Sequence, residues 1–235
     1  MSARIILVPG YWLGAWAWDA VVPELSERGF DVTPLTLPGL EWGRDGTAPE
    51  VTLVDQASAI EAALDVPAGR RILVVHSGAA VPGTLVLDQR PELVDRLVLV
   101  DTAPASPGYA MDPEQVGDRT LADAWAELSE EGSFKDLTAE QLRTFRERAV
   151  PQPNRVIAEP VQLGNNARHR VPLTVICCEF PASAFQQYAQ QGMPFLTALL
   201  DYDDVTYIDL PTGHWPMWSR PAELAELIAQ AAEDR

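Results

Sequence analysis

Apolar positions gather in six short runs, Arg4–Val8, Val32–Leu37, Arg71–His76, Leu97–Asp101, Leu173–Cys178 and Val205–Leu210. Short, nearly continuous apolar runs are what strands buried on both faces look like, so they imply a parallel sheet. Segments with helical spacing lie between them: Trp18–Arg28 closed by Gly29, Leu53–Leu64, Ala79–Gln89, Ala184–Gln191 and Ala222–Ala232. Gly192 and Pro194 stop the fourth of these. Alternation of this kind predicts an α/β fold, a doubly wound and mostly parallel sheet, with residues 1–235 forming a single domain. One connection breaks the rhythm. Residues Pro104 to Pro172 separate the fourth and fifth strands, with helical stretches at Pro113–Glu130 and Thr138–Ala149. An insertion of that length in a compact domain is usually functional or disordered.

Composition narrows the picture without deciding it. The chain of 235 residues is 47% hydrophobic, enough for a substantial core. Its net charge of −17 opposes phosphate backbones and anionic membrane surfaces, so neither nucleic acid nor membrane is an expected partner. No apolar stretch approaches the roughly 20 residues that span a bilayer. The first strand begins by Arg4 without a charged and then apolar leader, which disfavours a secretory signal. The two cysteines, Cys177 and Cys178, are adjacent within a strand and make no disulfide framework. They read as small buried apolar residues, and a cytoplasmic location is expected.

Candidate chemistry starts at Ile72-Leu-Val-Val-His-Ser77-Gly-Ala-Ala, where a strand delivers one serine into a tight turn followed by small residues. That arrangement exposes a hydroxyl nucleophile in the pattern Gly-x-Ser-x-Gly, here Val75-His76-Ser77-Gly78-Ala79. A free serine hydroxyl is a weak nucleophile and needs a base. His214, just beyond the strand Val205–Leu210 in the loop Pro211-Thr-Gly-His-Trp-Pro, can take that proton. His76 should point elsewhere on so sharp a turn, and His169, between Arg168 and Arg170, reads as solvent-facing. The first strand runs into Pro9-Gly10-Tyr11-Trp12-Leu13-Gly14, where glycine lets backbone N–H groups approach an oxyanion. Gly10 and Gly14 lack the spacing of a dinucleotide-binding loop, and no P-loop lysine follows, so no nucleotide, metal or other cofactor is implied.

Donor, serine and histidine in that order, each after a strand, resemble the α/β-hydrolase superfamily from Arg4 to about Ile228. The opening Pro9-Gly-Tyr-Trp-Leu-Gly-Ala-Trp-Ala-Trp is similar to that of the small-lid branch with plant methyl esterases and hydroxynitrile lyases. Pro9 stands where a histidine is usual, and Val75 where the elbow's first glycine is usual and bulk crowds the turn. The resemblance implies that residues 105–171 form a lid over the carboxyl edge of the sheet. It also implies an acid after Leu173–Cys178, yet the chain continues Glu179-Phe180-Pro181 with no aspartate. Asp101 is the favoured alternative, because some relatives, certain haloalkane dehalogenases among them, take the acid from the earlier strand end; Glu179 is the other candidate.

The implied site is then Ser77, His214 and Asp101, with the backbone N–H groups of Tyr11 and Gly78 as oxyanion hole. The seven tryptophans, at 12, 16, 18, 42, 125, 215 and 218, fall near strand ends or in the insertion, which suggests an aromatic pocket for a small molecule with an apolar or aromatic part. Trp12 and Trp215 are the expected substrate contacts, while Trp16, Trp18 and Trp218 anchor loops. The leading functional expectation is a cofactor-independent serine hydrolase cleaving a small ester through an acyl-enzyme. A hydroxynitrile-type lyase is the alternative, with Lys135, the only lysine, as the group to handle cyanide. A non-catalytic binding protein is the third reading.

Overall fold

A computed structural model of the chain describes residues 2–43 and 50–234. Its centre is a parallel sheet of six strands, β1 Arg4–Val8, β2 Asp31–Pro34, β3 Arg71–His76, β4 Arg96–Val100, β5 Leu173–Cys177 and β6 Val205–Asp209, in the order β2-β1-β3-β4-β5-β6. Register is continuous across the middle, with Ile6 beside Leu73, Leu73 beside Leu97, and Leu97 beside Leu173. The four inner strands are apolar because both faces are covered, whereas the edge strands β2 and β6 are half-exposed.

Helices α1 Val22–Glu27 and α9 Pro221–Glu233 pack on each other, as do α2 Leu53–Leu64 and α3 Ala80–Gln89. Right-handed crossovers place these pairs on opposite faces, because the path β1 to β2 runs one way across the sheet and β3 to β4 the other. Strand order reverses at β1, so the loops after β1 and β3 part and open a crevice at the carboxyl edge. No helix among the described residues is long and apolar enough to cross a membrane.

Several boundaries differ from the sequence pattern for identifiable reasons. The segment expected as helix Trp18–Arg28 is a 3₁₀ turn, Ala15–Trp18, and then α1, which begins at Val22 because Pro23 fits only a first helical turn. Strand β2 ends at Pro34 rather than Leu37, and β4 ends at Val100, so that Asp101 leaves the strand with φ 50°. In the insertion, α4 covers Leu121–Glu130 rather than starting at Pro113, because Thr120 and Asp123 form a capping box. Upstream of it, the Asp112 carboxylate accepts the Glu114 N–H, and Gly117 turns the chain at φ 72°. Helix α5, Ala139–Arg148, is capped by Thr138 and Gln141 in the same way, and the short α6, Asn154–Ala158, carries too few residues to show a period. Helix α7 is Ala182–Gln190, and α8, Pro216–Ser219, follows the base loop. His169 is half-buried rather than solvent-facing, with its ring edge-on to Tyr202 at 5.2 Å. Cys177 and Cys178 are free and buried.

The Val75 departure has a structural answer. A Cβ placed on Gly83 of α3 would lie 2.8 Å from Val75 Cγ1, so the glycine in the helix makes room for the branched side chain in the strand. Alanine at 83 would gain up to ~1 kcal/mol of helix propensity, against about 1–3 kcal/mol for forcing a stiff β-branched neighbour aside. Gly83→Ala is therefore expected to lower Tm, and in a Val75→Ala background the same substitution should become neutral or stabilising. Additive effects of the two changes would show that the contact is not what holds position 83 to glycine.

Candidate active site

Left-handed backbone at non-glycine residues gathers near the carboxyl ends of the sheet strands. The described non-glycine residues with positive φ are Trp12, Ser77, Asp101 and Asp136. The first three follow β1, β3 and β4, and Asp136, in the insertion, accepts a hydrogen bond from Thr212 in the loop that carries His214. Such conformations cost roughly 1–3 kcal/mol each and persist where the surroundings enforce them. At Ser77, φ 51° turns the chain sharply from β3 into a 3₁₀ turn that continues as α3, and Thr102 Oγ donates to the Ser77 carbonyl at 3.0 Å.

The side chains then meet in one line. Ser77 Oγ lies 2.8 Å from His214 Nε2, and His214 Nδ1 lies 2.6 Å from Asp101 Oδ2. The other carboxylate oxygen of Asp101 accepts the N–H groups of Cys178 and Glu179, at 2.9 and 3.1 Å. The loop after β5 thus supplies two backbone donors to an acid that comes from β4. Glu179 approaches His214 Nδ1 only to 3.5 Å. Burial opposes the charge on Asp101, but the hydrogen bond and charge of His214 and the two N–H groups hold its carboxyl below the ordinary range. Burial likewise opposes the imidazolium, and Asp101, Glu179 and Glu131 outweigh it, raising His214 above its ordinary 6.5. Asp101, Glu179 and His214 are also the one group of such side chains with ligand atoms close enough for a metal, within 4.8 Å, among the described residues. A cation there would have to displace the proton that His214 shares with Asp101.

His76 has a part that the sequence pattern does not reveal. Its side chain is buried; Nδ1 accepts the Gly10 N–H at 3.3 Å and Nε2–H donates to the His214 carbonyl at 2.7 Å. Burial, with the nearby charge of His214, pushes it down to about 3, so the ring stays neutral and keeps both bonds. It ties the Ser77 turn to the loop after β1 and to the loop that carries His214. A Cβ on Gly10 would lie 2.9 Å from that ring nitrogen and 2.8 Å from Ser77 Cβ, so only glycine permits this approach. His76→Leu should cut kcat by up to about 10²-fold through displacement of both loops. His76→Gln, whose amide can accept and donate at the same two ends, should recover most of that; equal losses in both variants would contradict the tie.

Tyr11 and Gly78 face each other across the turn: Gly78 is the second residue of the 3₁₀ segment, where helix geometry leaves N–H groups unpaired, and Tyr11 follows Gly10. A cavity of about 740 Å³ opens beside Ser77 and His214. Tyr11, Trp12, Tyr109, Phe180, Phe185 and Phe195 are among its walls. Trp12 is fixed by its indole N–H to the Arg119 carbonyl at 2.9 Å. Trp215 lines the cavity, but its ring stacks on Phe134 and on Trp218 and stands edge-on to His214, so it serves as a wall behind that histidine. Trp16 stacks on Trp218, Trp18 is fully buried, and Trp42 is exposed. The insertion reaches the base loop directly, since the Ser133 carbonyl accepts the His214 N–H at 2.9 Å.

Comparison with known proteins bears on the fold. The chain resembles solved structures of a pyrethroid hydrolase from Sphingobium faniae JZ-2, at 20% identity and TM-score 0.72, covering 99% of this chain and 98% of the other. It also resembles an extracellular α/β-hydrolase from a Paenibacillus species, at 19% identity and TM-score 0.69, covering 99% and 100%. A methylesterase from Arabidopsis is similar at 17% identity and TM-score 0.72, covering 97% and 98%. At such identities these likenesses speak for the fold. No curated protein sequence matches the chain. The model of the alpha/beta hydrolase family matches residues 5–227, nearly the whole length, and the chain belongs to that family.

Proposed function

We propose that this protein is a serine hydrolase that needs no cofactor and cleaves a small ester with an apolar or aromatic part. The observation that carries the reading is the continuous line from Ser77 Oγ through His214 to Asp101, with contacts of 2.8 and 2.6 Å. His214 Nε2 removes the serine proton as Oγ attacks the ester carbonyl, and Asp101 stabilises the imidazolium that forms. The N–H groups of Tyr11 and Gly78 receive the oxyanion, each donor worth about 3 kcal/mol in the transition state. The imidazolium returns its proton to the departing alcohol, leaving Ser77 acylated. Water then enters, gives its proton to His214, and releases the carboxylic acid as Ser77 regains its hydrogen.

A lyase reading would call on a lysine beside the substrate. Lys135 is exposed and is not among the cavity-lining residues, which supports hydrolysis over that alternative. Stopped-flow hydrolysis of p-nitrophenyl butyrate should give a burst of nitrophenolate approaching one equivalent per chain, with acyl-Ser77 trapped by acid quench. Turnover without any acyl-enzyme, after rapid-quench search across the pH range, would exclude the covalent route.

A further inference from the structure

The ionisable side chains that line the cavity beside Ser77 are mostly acidic. Besides the Asp101 bound to His214, its wall holds Asp112, Glu127, Glu131 and Glu179, and Arg119 is its one arginine or lysine among the described residues. Arg119 is already engaged, with Nη2 3.3 Å from Glu127. Apart from that paired arginine, no arginine or lysine among the described residues lines the wall.

Glu179 stands where that matters. It lies 3.5 Å from His214 Nδ1 with its side chain 22% exposed, and no arginine or lysine pairs with it among the described residues. Asp101 holds the shorter contact to the imidazole, so the Glu179 carboxylate is not needed to orient the base and stays on the cavity wall. Burial pushes its carboxyl up, while the charge of His214 and a hydrogen bond from Ser133 draw it down. An ammonium ion entering the cavity would draw it down further, and a carboxylate would meet the opposite response.

A second feature of the same wall is aromatic, with Trp12, Tyr109, Phe180, Phe185 and Phe195 lining it. Aromatic walls add their own attraction for a desolvated cation.

We propose that Glu179 is a specificity-determining residue that admits esters bearing a neutral or a cationic ammonium group and bars esters bearing a carboxylate. For turnover this rests on the serine-hydrolase reading, whereas for binding it does not. The same charge favours expulsion of the carboxylate product once the acyl-enzyme is hydrolysed.

The test uses three phenols that differ in one substituent: meta-hydroxyphenyltrimethylammonium, its neutral isostere meta-tert-butylphenol, and meta-hydroxybenzoate. Binding is measured by calorimetry at pH 8, each affinity taken relative to the tert-butyl compound so that general damage to the cavity cancels. The wild-type protein should favour the ammonium over the benzoate by about tenfold or more. Glu179→Gln should shrink that preference to within about threefold, and Glu179→Asp, which keeps the charge, should restore most of it. Equal affinities in the wild type, or full discrimination in Glu179→Gln, would overturn the assignment. The butyrate esters of the three phenols form the second arm. If discrimination in binding holds and none of the esters is hydrolysed, the hydrolase reading fails and the charge filter stands. If all three esters are hydrolysed without discrimination, the charge filter fails and the hydrolase reading stands.

Discussion

Ser77→Ala should reduce ester turnover by about 10⁶-fold while leaving the protein folded, because it removes the only atom in the line that can form the acyl bond. The change deletes one hydroxyl and keeps what secures the turn: the hydrogen bond from Thr102 goes to the backbone carbonyl of residue 77, and alanine meets the same positive φ as serine. Tm should therefore move little. His214→Ala should be similarly damaging, and the double variant scarcely worse than either single one, since the proposed mechanism joins the two residues in one proton transfer. Losses that multiply would mean that the two side chains act in separate events.

The second large effect is at the acid. Asp101→Asn should lower kcat by about 10⁴-fold. The wild-type carboxylate satisfies the Cys178 and Glu179 N–H groups with one oxygen and His214 Nδ1–H with the other. An asparagine that keeps its carbonyl oxygen on those two N–H groups must turn its NH₂ toward Nδ1. The imidazole proton is then displaced to Nε2, where it can no longer accept from Ser77. The pH profile supplies an independent check. Asp101 raises His214 above 6.5, so wild-type kcat/KM falls as acidity protonates the base from a point above that value. With Asp101 neutralised, the acid limb of the residual activity should move to lower pH. An unmoved limb together with near-normal rates would place the orienting charge elsewhere, Glu179 being next in reach at 3.5 Å. Circular dichroism must show a folded variant, because Asp101 also secures the start of the loop after β5 through its two backbone hydrogen bonds.

Much of this is legible in the chain because the physics is local. Ser77 and His214 each follow a short apolar run, and such runs in a parallel sheet have few alternatives. The family resemblance adds the expectation that their loops meet at one edge. The acid is harder, since both Asp101 and Glu179 stand beyond strand ends and only the backbone at Asp101, left-handed at φ 50°, decides which carboxylate reaches the imidazole at 2.6 Å. Two features lie beyond sequence reasoning altogether. His76 sits next to the nucleophile and gives no sign of bridging Gly10 and His214, because those partners are distant in the chain. Gly83 reads as a weak helix residue until its contact with Val75 is seen. In the insertion, capping by Thr120 prevails over an apolar spacing that runs on from Pro113, so the helix starts later than that spacing implies.

A fluorophosphonate probe followed by peptide mapping reads whether His214 and Asp101 make Ser77 a nucleophile. Ser77 alone should be labelled rapidly, and labelling should slow by orders of magnitude in His214→Ala and in Asp101→Asn. Labelling at another residue, or a Ser77 that reacts no faster than free serine in the folded wild-type protein, would contradict it.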